Sequence, residues 1–285
     1  MPDIMSMITL FSAFMGLYVF VRLILPSGMN WPFKLILSLF ALACAEKLLL
    51  TKLVYGTMGA FMPEPVQLAS GYLHSAVTIL FLLLTWPFRR STGRQRKIFY
   101  GHKEKKPASG FWAFTLVLLA LALSGYGMRE ALRVPPVREV RMQVPGLPDA
   151  LNGFRIAQLS DLHIGPTFGK AWLTDVVART DSLNPDLIVI TGDVVDGSPS
   201  RLEEDVAPLA DLKAKYGVIF APGNHEYYSG IQQWLPVFQR LGMHVLMNEN
   251  TQIRVNGTPL AIAGVTDTAA LNWGLEGPDP EKALS

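Results

Sequence analysis

The hydrophobic pattern changes character near residue 130. Before that point apolar residues run almost continuously in four stretches: Ile4 to Leu25, Phe33 to Tyr55, Val66 to Trp86 and Phe111 to Met128. Each is about 18–23 residues long, enough for a helix to cross a hydrocarbon layer about 30 Å thick. Glu46, Lys47 and Lys52 interrupt the second stretch, the third carries His74, and the fourth has no charge. Pro26-Ser-Gly28, Pro63-Glu-Pro65 and Trp86-Pro87 separate them with helix-ending residues. Soluble helices keep a polar stripe, and none is evident here. The pattern predicts a four-helix transmembrane region over residues 1–128. Its first helix is retained, because Met-Pro-Asp lacks the basic start of a cleaved leader.

Beyond it, residues 129–150 are broken by Pro135, Pro136, Pro145 and Pro148, although 137–144 alternates like an edge strand. From residue 151 short apolar runs alternate with helical patterns. Strands are expected over 155–159, 187–190, 217–221, 244–247, 251–255 and 260–265. Helices are expected over 170–182, 201–213 and 231–241. Such alternation predicts a mostly parallel sheet covered by helices.

Composition supports this division. Half of the 285 residues are hydrophobic and only 17% are charged, against about 25% in soluble domains. The single cysteine, Cys44, excludes an intrachain disulfide framework and a multi-Cys metal site. The net charge of +2 conceals a basic loop between the third and fourth stretches: Arg89, Arg90, Arg94, Arg96, Lys97, Lys103, Lys105 and Lys106 face one acid, Glu104. A short basic loop stays cytoplasmic, so the expected protein is multi-pass in the cell membrane with its C-terminal domain extracytoplasmic. The lipid bilayer is the expected partner, and no motif supports nucleic-acid binding. Glu46, Lys47 and His74 are read as helix contacts rather than an ion path.

Candidate chemistry sits after three of the expected strands. Ser160-Asp161-Leu162-His163 follows the first, Thr191-Gly192-Asp193-Val194-Val195-Asp196 the second, and Pro222-Gly223-Asn224-His225-Glu226 the third. Ligands in open α/β sheets gather at the carboxyl ends of strands. This placement brings together Asp161, His163, Asp193, Asn224 and His225. Carboxylates, imidazoles and an amide without thiolate suit divalent Mn, Fe or Zn.

The order Asp-x-His, Gly-Asp-x-x-Asp, Gly-Asn-His-Glu resembles the calcineurin-like metallophosphoesterases, and specifically a bacterial membrane-anchored branch. The resemblance covers about residues 137–285. It implies an α/β/β/α sandwich and hydrolysis of phosphomonoesters or phosphodiesters, with envelope or lipid phosphoesters as the expected substrates. It also implies two divalent metal ions, with Asp161 and His163 on the first, Asp193 bridging, and Asn224 on the second. These ions acidify a bridging water that attacks phosphorus in line. The implied catalytic residue is His225, which stabilises or protonates the leaving oxygen. Asp196 and Glu226 are implied to support the ligands rather than bind metal.

The family pattern continues with later histidines, whereas the only histidine here after His225 is His244. His244 sits in an expected helix-to-strand junction and is not assigned as a ligand. Residues 151–285 are therefore expected to be the N-terminal portion of the family domain, with the second metal site incomplete or completed by a partner chain. Two other readings stand beside the enzyme: a catalytically incomplete binding or scaffold protein, and a small transporter acting through the spans.

Overall fold

The computed structural model describes residues 4–25, 30–45, 64–91 and 110–285. The chain divides into two compact units, Met1–Arg133 and Val134–Ser285.

In the first unit, α1 (Ile4–Val19) runs on into a π-helical turn (Phe20–Ile24) and is followed by α2 (Trp31–Ala45), α3 (Glu64–Ser91) and α4 (Gly110–Ala131). Met15, Val19, Leu80, Phe81 and Ala120 form a small shared core of α1, α3 and α4. Two hydrogen bonds clasp α3 to α4: the Tyr72 hydroxyl donates to Leu121 O (3.1 Å), and the Ser124 hydroxyl donates to Tyr72 O (2.7 Å). His74 Nδ1 lies 3.1 Å from Cys44 O, tying α3 to α2. A carbonyl only accepts, so Nδ1 carries the proton there. This is a polar contact between helices.

Among the described residues, Pro65–Leu84 and Phe114–Ala131 are long and apolar enough to cross a membrane, while Leu10–Ile24 and Lys34–Cys44 are shorter apolar helices. Four full spans are thus not all present among the described residues. Glu46, Lys47, Lys52 and the basic residues from Arg94 to Lys106 lie outside them. The two long segments bury only 17% and 11% of their apolar windows. Soluble monomers rarely expose apolar surface of that extent.

The second unit is built on four parallel strands in the order β1 (Ile156–Leu159), β2 (Leu187–Ile190), β3 (Val218–Phe220), β4 (Met243–Val245). Helices α5 (Lys170–Asp181), α6 (Pro199–Val206), α7 (Asn224–Ser229) and α8 (Ile231–Arg240) connect them. Ile188, Ile190, Val218 and Phe220 pack with Leu173, Val176 and Val177 of α5 and with Trp234, Val237 and Phe238 of α8. Leu187 and Ile219 point to the other face, where Leu246 and Ile262 meet them. Both faces of β2 and β3 are buried, which is why these strands are continuously apolar rather than alternating.

Ile262 belongs to an antiparallel hairpin, β5 (Glu249–Val255) and β6 (Thr258–Gly264). Its turn, Asn256-Gly257, has φ of 49° and 87°, the left-handed pair that suits strand twist. Helix α9 (Pro280–Leu284) lies against β5, where Asn250 Nδ2 donates to Ala283 O (2.8 Å). The domain is thus α/β with a parallel sheet, and the hairpin packs on the sheet face opposite α5 and α8.

Two expectations for this unit differ from the structure. Residues 137–144 pair with no strand among the described residues, and Val137, Val140, Met142 and Val144 are exposed; the flanking prolines remove backbone donors on both sides. The helix expected over 201–213 ends at Val206 and continues as a 3-10 turn over Ala207–Asp211, because Pro208 has no N–H to extend an α-helix. The short helix α7 begins at Asn224, inside the third motif.

Candidate metal centre

The turns after β1 and β2 are laced together by their backbones. Asp161 N–H donates to Gly192 O (3.2 Å), His163 N–H to Asp193 O (3.0 Å), Ile164 N–H to Val194 O (2.8 Å) and Asp196 N–H to Ile164 O (2.9 Å). These bonds hold Asp161, His163 and Asp193 at φ of 56°, 46° and 54°. That left-handed region costs an L-residue about 1–2 kcal/mol. Asp and His tolerate it better than most residues. The strain persists because the surrounding bonds over-determine it.

The β2 and β3 turns approach backbone to backbone. Gly192 has φ of 81°, and a Cβ on it would overlap Gly223 N and Cα. A Cβ on Gly223 would overlap Asp193 Oδ1. Each glycine directly precedes a candidate ligand because only a bare backbone permits this approach.

Glu226 joins these turns from beneath. It is fully buried. Its Oε2 accepts the N–H groups of Asp193 (2.9 Å) and Gly223 (2.8 Å), and its Oε1 accepts that of Val194 (2.7 Å). Burial pushes its pKa above the usual value, the three donors oppose that shift, and the Asp193 charge adds to it. Glu226 faces backbone rather than the donor cluster, so its place is to hold Asp193 and Gly223 in register.

Above this support the side chains converge. Asp161, His163 and Asp193 each offer one ligand atom, all within 4.8 Å of one another. His163 Nε2 lies 3.9 Å from Asp161 Oδ1. His163, Asp196 and His225 form a second group of the same compactness. In that group Nδ1 of His163 (3.0 Å) and Nδ1 of His225 (2.6 Å) both face Asp196 Oδ1. The two rings stand nearly perpendicular, 83° apart, with centroids 4.5 Å apart. One carboxylate thus engages Nδ1 of both imidazoles and leaves both Nε2 atoms free. Hydrogen bonding of this kind fixes the tautomer of a metal-binding histidine. Partial burial disfavours the charged form of His163, but the Asp196 hydrogen bond and the charges of Asp196, Asp193 and Asp161 outweigh it and raise its pKa.

Asp193 also accepts His225 N–H on Oδ1 (2.9 Å). With its amide nitrogen toward Asp193, Asn224 lies 3.1 Å from Oδ2 and 3.2 Å from Oδ1. The structure brings Asp161, His163, Asp193, Asp196, Asn224 and His225 together. His244 stands exposed on β4 and belongs to neither donor group.

The donor chemistry fits one divalent cation directly, with two carboxylates and an imidazole nitrogen at close range and Nδ1 of that imidazole already engaged. For a second cation, Asp193 and Asn224 are the donors the motifs supply. Asp196→Ala is expected to release both rings and lower Mn2+ affinity and turnover about 10–100-fold. Manganese titration alongside steady-state rates checks this; unchanged values for both would remove Asp196 from its assigned place.

The wall beside Asn224 comes from residues 266–279, which Asn248 holds. Asn248 is buried at φ 58°. Its Oδ1 accepts Thr266 N–H (3.1 Å) and Asp279 N–H (3.0 Å), and its Nδ2 donates to Gly277 O (2.8 Å). Sequence reading missed this residue, since its partners lie 18 to 31 positions away. Asn248→Ala is expected to destabilise this wall by about 2–4 kcal/mol, through buried donors left unpaired. Faster hydrogen exchange at Thr266 and Asp279 would report it, and unchanged exchange would refute it.

Residues 154–274 match the calcineurin-like phosphoesterase family. The chain is 32% identical over 259 residues to a transmembrane protein with metallophosphoesterase domain from Bos taurus, covering 87% of this chain and 55% of that protein. It is 37% identical over 190 residues to a protein of the same name from Danio rerio, covering 64% and 44%. An uncharacterized metallophosphoesterase of Campylobacter jejuni is 32% identical over 166 residues, covering 58% and 42%. The chain thus spans about half the length of these relatives. No solved structure matches it.

Proposed function

The chain carries a calcineurin-like metallophosphoesterase domain over residues 154–274, and from that premise we propose that it hydrolyses phosphoesters at the centre formed by Asp161, His163, Asp193, Asn224 and His225. The observation that carries this reading is the convergence of Asp161, His163 and Asp193 within 4.8 Å, beside an imidazole that Asp196 orients.

Asp161, His163 and Asp193 would hold a divalent cation, Mn, Fe or Zn, and Asp193 and Asn224 would contribute to a second. Cations held there would supply Lewis-acid polarisation of the phosphoryl oxygens and a more acidic attacking water. The residues do the rest. Asp193 presents two carboxylate oxygens at a backbone angle that Glu226 enforces. His225 gives its Nδ1–H to Asp196, so its other nitrogen faces outward. As water attacks phosphorus and the bond to the alcohol oxygen breaks, His225 delivers a proton from Nε2 to that oxygen. Asp196 engages Nδ1 of the ring and holds it in the orientation that presents Nε2 to that oxygen.

The first unit anchors this activity to a membrane. Support comes from the two long, mostly exposed apolar helices and from the names of the Bos taurus and Danio rerio relatives. The proposed protein is multi-pass, with four spans over residues 1–128, a joint at 129–150 and the catalytic domain from 151 placed outside the cytoplasm by the basic loop. Its proposed partners are the bilayer and a phosphoester of the envelope or of lipid. The 285-residue chain in nanodiscs, stripped with chelator and reloaded with Mn2+, should hydrolyse bis(p-nitrophenyl) phosphate only in the loaded state. Hydrolysis indifferent to chelation, or absent in both states, contradicts the proposal.

A further inference from the structure

Beside Asn224 a cleft of about 310 Å³ opens, lined by Tyr228, Asp267, Thr268, Ala269 and Asn272. A second cleft of about 390 Å³ lies on the other side of Tyr228 and is lined by Ile231, Trp273 and Leu275 among others. Tyr228 is the residue both share. The first cleft is polar and the second is mainly apolar. Tyr228 also meets His225 edge-on, with ring centroids 5.6 Å apart at 64°.

This layout has a direction. The inner end is Asn224, beside Asp193. An alcohol that takes its proton from His225 leaves past Tyr228, into the first cleft and toward the second. Neither lining contains a lysine or arginine, and the first contains the Asp267 carboxylate. Asp267, whose Oδ1 already accepts Ala269 N–H (2.7 Å), would repel a further phosphate and suit hydroxyl or amine groups, as would the Asn272 amide and the Thr268 hydroxyl. Beyond Tyr228, the exposed indole of Trp273 (56%) and the buried Ile231 (5%) offer an apolar floor.

We infer that this double cleft binds the alcohol portion of the phosphoester, and that this alcohol is amphiphilic. Its uncharged or cationic polar groups lie on Asp267 and Asn272, and its apolar continuation lies on Tyr228, Trp273 and Leu275. The inference rests on the phosphoester reading above and narrows it to amphiphilic alcohols without a second phosphate.

Calorimetric titration of the Mn2+-loaded full chain in nanodiscs, with empty nanodiscs subtracted, tests it using methyl phosphate and hexyl phosphate. Hexyl phosphate should bind about tenfold more tightly, since its extra methylenes leave water. Trp273→Ala should bring the two affinities within about twofold while leaving methyl phosphate unchanged. Leu275→Ser provides an independent variant with the same expected direction. Equal affinities in the wild type, or a preference that survives both substitutions, overturn the inference while the phosphoester centre stands. Failure of both phosphates to bind overturns the centre and the inference together.

Discussion

Asp193→Asn should reduce Mn2+-dependent phosphodiester hydrolysis by about 10³-fold, equivalent to roughly 4 kcal/mol of transition-state stabilisation. The substitution is nearly isosteric. Asparagine tolerates the left-handed backbone that Asp193 adopts at φ 54°. The bonds from Asp193 N–H to Glu226 and from His163 N–H to Asp193 O involve only backbone at this position, so the turn persists. What disappears is one negative charge within the Asp161, His163 and Asp193 group, together with one oxygen beside Asn224. Loss of rate with an unchanged thermal midpoint therefore reads as lost cation binding. A rate within about threefold of wild type would show that this carboxylate does not carry the reaction.

Glu226→Ala should be the most destabilising change in the domain. Glu226 is fully buried and accepts three backbone N–H groups, from Asp193, Val194 and Gly223. Removing the carboxylate leaves three buried donors unpaired at about 1–3 kcal/mol each. The net cost is roughly 3–6 kcal/mol once water partly fills the gap. Glu226→Gln grades the effect. Its amide oxygen at the Oε2 position keeps the bonds to Asp193 and Gly223, and its NH2 opposes Val194 N–H. The cost should be about 1–3 kcal/mol. Hydrogen exchange at residues 193, 194 and 223 of the full chain measures this ladder. Protection that is equal in all three proteins would mean that the carboxylate does not join the β2 and β3 turns.

Some of this was legible in the sequence for definite reasons. Leu187 to Ile190 reads as a buried strand because both of its faces are covered, by α5 and α8 on one side and by Leu246 and Ile262 on the other. The donor residues were legible as a group because each motif directly follows an apolar run, so a parallel sheet delivers them to one end. The support beneath them was legible only as a role: the resemblance implies Glu226 as a support residue but does not give its partners. Glu226 reaches Asp193 and Val194 across 33 and 32 positions, a pairing that no local period encodes. Asp196 reads as a support residue, but its sharing between His163 and His225 depends on how the turns after β1 and β3 meet. The 3-10 helix Thr268–Trp273, which builds the outer cleft, has no apolar period. Its signal was Asp267, whose Oδ1 caps it through Ala269 N–H (2.7 Å). Helix α9 was not among the expected elements either; the signal that could have found it is Asp279-Pro280, where the Asp279 side chain accepts Lys282 N–H (2.9 Å).

The turns after β1 and β2 are proposed to hold a divalent cation through Asp161, His163 and Asp193. Manganese titration of the 285-residue chain, followed by electron paramagnetic resonance, is the direct test. The wild type should bind at least one Mn2+ per chain. The tight site should disappear in Asp193→Asn and in His163→Ala. A wild-type chain that binds no manganese, or variants that bind it as the wild type does, would contradict the account.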